Sequence, residues 1–174
     1  MADRVAARWL RYVALLAAFE CAALLAAFGS VALPAAASEH DAETLLPIIT
    51  VQLVGASGTH DVEAEVACTR EERARGLMGR QSLAPDKAMI FLYATPRELR
   101  FWMKDTALSL DIIFVNSLHK INRIAVSTKL MSEEHISSDG PVSAVLELAA
   151  GRADAYGLAV GDSVVYALSA ARCP

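Results

Sequence analysis

Two acidic residues lie inside strongly apolar segments of the chain. Asp111 interrupts the run LDIIFV, and Glu147 interrupts the run VLEL. A carboxyl group among apolar side chains must be paired or hydrogen-bonded, or else its pKa rises. Two such groups on either side of a substrate would form the acid pair of a glycosidase-type hydrolase. Asp111 and Glu147 are therefore the candidates for catalysis.

The same two acids also have structural interpretations. Asp111 would then accept backbone N–H bonds that hold the turn at residues 104–109, and Glu147 would form a salt bridge with Arg80 or Lys104. Both interpretations stay open, because the spacing of residues along the chain does not determine the distance between the two carboxyl groups.

An aromatic and cationic segment, FWMKDT, occupies residues 101–106. Trp102 favours the wall of a pocket for a sugar or another flat apolar ligand, and ordinary packing is the alternative. Arg80 and Lys104 are suited to an anionic ligand or a peptide carboxylate, and solvated charges are the alternative. The candidate ligand-binding residues are Arg80, Trp102, Met103, Lys104, Thr106 and Asp111.

Methionine and histidine raise the question of a copper site, because thioethers suit Cu(I) and imidazoles add nitrogen ligands. No short spacing gathers these side chains, and methionine is a routine filler of apolar cores. We therefore predict no metal and no cofactor. The side chains in question are Met78, Met89, Met103, His60, His119 and His135.

The N-terminal segment has the pattern of a secretory signal peptide. Arg4, Arg8 and Arg11 precede an almost uncharged run at residues 12–33, and three alanines follow Pro34. This order of basic, apolar and small residues predicts cleavage after residues 1–37 and a periplasmic or secreted protein.

The alternative is an uncleaved membrane anchor, because the apolar run is long enough to span a bilayer. Glu20 counts against an anchor, since a charge near the centre of a span costs roughly 3 kcal/mol. Contact with a membrane is expected only if the segment is not removed.

Two cysteines, Cys68 and Cys173, remain after the predicted cleavage. An exported protein meets an oxidising compartment, where such a pair favours one disulfide. A loop of about 105 residues would gain roughly 4–5 kcal/mol from that bond in the chain-entropy model. The alternative is two unpaired thiols.

Composition limits the class of partner. The 174 residues hold 16 Lys and Arg against 20 Asp and Glu, a formal net charge of −4, and no basic stripe is present. This pattern argues against nucleic acid as a partner. The expected partner is a small molecule, a glycan or an envelope protein, bound by a binding or accessory module; a structural or assembly role without a ligand is the further alternative.

For the chain that remains after cleavage, the sequence predicts a short flexible leader at residues 38–47 and one β domain at residues 48–170. Apolar and alternating runs bounded by turn residues predict about eight short strands, in a compact antiparallel β-sandwich or small barrel. A capping box at Thr69 and Glu72 predicts a short helix over residues 70–78. The strands are expected at residues 48–54, 60–68, 88–93, 99–103, 110–115, 121–126, 143–148 and 163–168.

Three ordered motifs carry a resemblance to a known family. They are GLMGR at residues 76–80, the segment from FWMKDT to LDIIF at residues 101–114, and VLEL at residues 145–148 with Gly151 after it. In order and spacing they resemble the family called domain of unknown function 192, over about residues 49–168. The resemblance implies a compact, mostly antiparallel β-sandwich and no established activity.

Overall fold

The computed structural model describes residues 46–167, and these form one curled sheet of seven strands with two short helices. The order across the sheet is β5-β4-β6-β3-β2-β1-β7. The predicted signal segment and Cys173 lie outside the described residues. The elements are β1 Ile48–Gly55, β2 Gly58–Ala67, α1 Arg70–Arg75, β3 Lys87–Phe101, β4 Leu110–Val115, β5 Ile121–Ala125, β6 Ile136–Ala149, α2 Arg152–Ala155 and β7 Ser163–Tyr166.

The sheet curls until its two outermost strands meet at one end. Lys120, just before β5, forms a bridge with Ser163 of β7, and the Val164 N–H donates to the His119 carbonyl at 2.9 Å. The mainly β prediction is confirmed. Of the two predicted architectures, a β-sandwich or a small barrel, the structure is nearer to the barrel, because a single twisted sheet curls into a half-barrel and covers its own apolar face.

The predicted count of eight strands is wrong. The predicted strand at residues 88–93 and residues 99–101 of the next one belong to a single strand, β3, which pairs with β6 on both sides of Pro96. Residues 102–103 follow its end. The pairing register shifts between Leu92 and Arg97, so the strand absorbs the proline as an irregularity.

One pairing in the sheet is parallel. β2 and β3 run in the same direction, whereas every other pair of the described strands is antiparallel. The connection through α1 and residues 76–86 is long enough to return the chain to the far end of the sheet, which a tight hairpin cannot do. The sheet is thus mostly antiparallel, as the resemblance implied, with this one parallel pair as the exception.

Two apolar cores lie on opposite faces of the central strands. The inner core takes residues from all seven strands, among them Leu53, Ile90 and Leu146. The outer core lies on the other face of β3, β4 and β6, where Phe91 and Phe114 are covered by the segments that flank α1 and precede β4. Because both faces are covered, every residue of β4 is buried.

The capping box at the start of α1 is confirmed. The Glu72 N–H donates to Thr69 Oγ1 at 3.1 Å, and the Glu72 carboxylate accepts from the Thr69 N–H at 2.9 Å. The helix is shorter than predicted because Gly76 adopts a φ of 50° directly after Arg75. A Cβ at Gly76 would lie 3.3 Å from the Phe91 ring, so this turn packs closely on the outer core.

The structure bears on where the domain begins and on whether a described helix could cross a membrane. The Pro47 carbonyl accepts from the Val66 N–H at 2.8 Å, so the end of the predicted leader is already attached to the sheet. None of the helices within residues 46–167 is long and apolar enough to cross a membrane.

Candidate functional site

A cavity of about 220 Å³ opens between the end of α1, the outer face of β3 and the segment that carries Trp102. Leu77 and Phe91 contribute apolar wall, and Thr106 closes one side. Glu147 of β6 lies among these apolar groups and forms the floor. We call this space the Glu147 cavity.

Glu147 is a buried acid that has no hydrogen-bond or ion-pair partner among residues 46–167. It lies opposite Met89 of β3 and Ile112 of β4, and the residue is 5% exposed. Within residues 46–167 its carboxyl group forms no hydrogen bond and no ion pair. Burial raises the pKa of Glu147 to about 8, so the group is mostly protonated at neutral pH.

Aromatic side chains shape the mouth and one wall of the cavity. Phe101 packs edge-on against Phe91, with ring centres 5.1 Å apart. Trp102 is 45% exposed and stacks over His135 at 6.1 Å. Trp102 is also among the residues that line the cavity.

Arginines supply the charge at the cavity. Arg73 donates to the carbonyl groups of Cys68 and Leu92, and its guanidinium lies 4.8 Å from the centre of the Tyr93 ring. Arg75 and Arg100 also line the cavity, and both are exposed. Burial raises the pKa of Tyr93, and the nearby arginines oppose that rise.

Asp111 has a different place and a different task. Its carboxylate is fully buried; Oδ1 accepts from the Ser127 N–H and Oδ2 from the Ala153 N–H, each at 2.9 Å. These bonds hold the segment after β5 and the first turn of α2, rather than the turn at residues 104–109. Asp111 does not line the Glu147 cavity.

The two candidate acids lie on opposite faces of the sheet. Asp111 pairs with Leu148 and shares the face of the inner core, whereas Glu147 pairs with Ile112 on the face of the outer core. The backbone of the sheet therefore lies between the two carboxyl groups. The structure does not bring together the acid pair that a glycosidase-type hydrolase needs.

Three other predicted ligand-binding residues lie outside the cavity lining. Arg80 forms a two-pronged ion pair with Glu65, at 2.6 and 2.5 Å. Lys104 lies 3.9 Å from Glu133, and its ammonium is 5.7 Å from the Trp102 ring centre. Met103 is 1% exposed in the outer core. Of the predicted set, Trp102 and Thr106 line the cavity.

The cavity residues that sequence reasoning missed are Arg73, Arg75, Tyr93 and Arg100. Their common signal is weak: α1 carries three arginines, and Tyr93 shares the odd-numbered face of β3 with Met89 and Phe91. Arginines on a short helix ordinarily indicate a face exposed to solvent. Only the crossover from β2 to β3 brings that helix over the outer face of the sheet.

The histidines take separate ring partners instead of a shared ligand. His60 stacks on Tyr156 at 4.5 Å, and His119 packs on Tyr166 at 4.7 Å. Residues 46–167 hold no group of three or more His, Cys, Asp or Glu side chains arranged to bind a metal ion.

Comparison with known proteins places the chain in a family. A crystal structure from Sinorhizobium meliloti 1021, with the provisional description of a transcription regulator, is 38% identical, with a TM-score of 0.68 over 70% of this chain and 95% of that one. A protein of unknown function from Novosphingobium aromaticivorans DSM 12444 is 38% identical, with a TM-score of 0.69 over 72% and 89% of the two chains. No curated protein matches significantly. Residues 52–166 match the family DUF192, described as “Uncharacterized ACR”. The chain therefore belongs to the DUF192 family.

Proposed function

We propose that this protein is an exported binding module of the cell envelope that holds a small ligand in the Glu147 cavity. The observation that carries the proposal is the carboxyl group of Glu147, which lines the cavity and has no hydrogen-bond or ion-pair partner among residues 46–167. Among the described residues, no fully buried side-chain polar atom lacks a hydrogen-bond partner, so the Glu147 oxygens face the cavity, where a ligand can bond to them. Binding sites use such precisely placed polar groups to orient a ligand.

The size of the cavity limits the ligand. Sites for drug-sized molecules usually measure about 300–1,000 Å³, and this cavity measures about 220 Å³. The occupant is therefore a compact molecule or the end group of a larger one, such as a glycan. The exposed face of Trp102 at the mouth gives a larger ligand a surface on which to continue.

Neither hydrolysis by paired acids nor binding of DNA belongs to the proposal. The first needs Asp111 and Glu147 on one face, and they lie on two. The second is suggested only by the description of the S. meliloti relative. A formal charge of −4 disfavours contact with a phosphate backbone.

Loss of the cavity wall should weaken binding. We expect the change Trp102→Ala to reduce affinity about tenfold, because a stacking aromatic wall is lost. Ala74→Phe, at an exposed residue that also lines the cavity, should weaken binding by obstruction. Amide chemical shifts followed during titration with phenylacetate, phenylacetamide and phenethylamine measure both effects.

The matched control is Leu118→Ala, which shortens a side chain that is 78% exposed and outside the cavity lining. It should leave the titrations unchanged. If none of the three probes shifts the amides of Thr106 and Leu77 at millimolar concentration, the cavity is not a binding site and the proposal is wrong.

Export and the disulfide can be tested together by the mass of the denatured protein isolated from the exported fraction. We expect the mass of a chain that begins near residue 38 and is two protons lighter than its reduced form. A mass that includes residues 1–37 would contradict cleavage. A mass that does not rise by two protons on reduction would contradict the bond between Cys68 and Cys173.

A further inference from the structure

We infer that the ligand of the Glu147 cavity is a small amphiphilic anion, whose charged group is held by arginines at the wall while Glu147 donates a hydrogen bond to it. This inference rests on the proposed function, because it assigns a chemical class to the occupant of the same cavity. Three observations support it: the positive charge of the arginines in the wall, the protonation state of Glu147, and the apolar side chains that line the cavity.

The charged side chains of the wall are all cationic. Arg73, Arg75 and Arg100 line the cavity, and Glu147 is the acid among its lining residues. The partners of Arg73 are carbonyl groups and the Tyr93 ring, which orient the guanidinium without neutralising it. Within residues 46–167, Arg75 and Arg100 form no ion pair. A carboxylate or phosphate is the natural counter-ion for such a group of guanidinium ions.

The floor of the cavity fits an anion only while Glu147 is neutral. A protonated carboxyl group donates one O–H bond, whereas a carboxylate is an acceptor only. The groups that face Glu147 favour the neutral form, since Met89 of β3 and Ile112 of β4 lie directly opposite. Burial raises the pKa of Glu147 to about 8, so the donor is present at neutral pH.

The other ionisable groups of the cavity keep their charge states over the same pH range. Arg73, Arg75 and Arg100, which line the cavity with Glu147, stay cationic. Burial raises the pKa of Tyr93 above its ordinary value of 10.0. A loss of affinity between pH 7 and pH 9 would therefore report the ionisation of Glu147, which places a negative charge beside the bound anion.

The apolar surface of the cavity favours a ligand with a compact hydrophobic part. Leu77 and the edge-to-face pair of Phe91 and Phe101 form this surface. A fully hydrated inorganic anion would leave it bare. A cation such as an amine would have to enter past the three arginines, which the electrostatics oppose.

The inference is tested by titrating the mature protein with four probes that share one ring: phenylacetate, phenyl phosphate, phenylacetamide and phenethylamine. We expect at least one anion to bind about tenfold more tightly than phenylacetamide, and phenethylamine to bind least. The two anions distinguish a carboxylate site from a phosphate site. The affinity for phenylacetate should fall about tenfold from pH 7 to pH 9.5 in the unmodified protein, and the change Glu147→Gln should remove this dependence.

Arg100→Gln provides the charge test, with Lys129→Gln as the matched control. Both remove one positive charge, and Lys129 is exposed and outside the cavity lining. Arg100→Gln should weaken the anion about tenfold and spare phenylacetamide, whereas Lys129→Gln should change neither. If phenylacetamide or phenethylamine binds in the cavity as tightly as the anions, the inference is wrong and the proposed function stands. If no probe binds there, both are wrong.

Discussion

Replacing Glu147 with Gln should stabilise the protein by roughly 3–5 kcal/mol at pH 9 and change its stability little at pH 4. The pKa of Glu147 is about 8 in the folded state, against an ordinary value of 4.5. Between these two values the folded protein holds a proton that the unfolded chain has released, so the stability falls as pH rises from about 4.5 to 8. Each unit of difference corresponds to about 1.4 kcal/mol. The amide of Gln does not ionise and avoids the loss.

Urea unfolding of both proteins at pH 5, 7 and 9 measures this effect. The matched control is Glu134→Gln, at an exposed position, and its stability should run parallel to that of the unmodified protein. A constant difference between Glu147→Gln and the unmodified protein at every pH would show that Glu147 has no raised pKa.

The change Asp111→Ala should cost roughly 2–5 kcal/mol of stability at neutral pH. It leaves the N–H groups of Ser127 and Ala153 without their acceptor in a part of the fold where the Asp111 side chain is fully buried. An orphaned buried donor such as the Ala153 N–H costs about 1–3 kcal/mol. The Ser127 N–H adds a smaller loss because Ser127 is exposed and water can bond to it. Ser127 also has a φ of 47°, a conformation that the bond to Asp111 helps to hold.

Thermal or urea unfolding measures this loss, and hydrogen exchange at the Ser127 and Ala153 amides locates it. Asp61→Ala is the control, because Asp61 is an exposed acid of β2 and should stay within about 0.5 kcal/mol. Ligand titrations separate structure from binding. If an Asp111→Asn protein that remains folded loses all binding in the Glu147 cavity, the structural role assigned to Asp111 is wrong.

Local patterns predicted the elements well where one physical signal acted alone. β4 follows from its apolar run, and the start of α1 follows from the Thr69 and Glu72 capping box. The prediction for β3 was wrong because two apolar runs, separated by residues 94–98, indicated two strands, while the pairing with β6 continues on both sides of Pro96. The parallel pairing of β2 and β3 has no local signal, since it depends on where the crossover returns the chain.

Whether Asp111 and Glu147 share a site depends on the pairing register of β4 with β6, and the spacing of residues along the chain does not determine that register. Alternation correctly put Asp111 on the face of Ile113 and Val115. Whether Glu147 shares that face depends on the pairing of β4 with β6, where Ile112 rather than Asp111 lies opposite Glu147. A shift of one residue would have placed the two acids side by side. The type and setting of Trp102 were enough to make it a candidate pocket residue. Arg73 and Arg100 were not predicted, because their positions at the cavity depend on the three-dimensional path of the chain.

The meeting of β5 with β7 at one end also limits self-association. Exposed strand edges are templates on which other chains can add strands and begin aggregates. Here the outermost strands of the described sheet have five and four residues, and each is already engaged by the other near Lys120 and Ser163. Only a few backbone groups remain along these edges to recruit a second chain, which protects a β-rich protein at high local concentration.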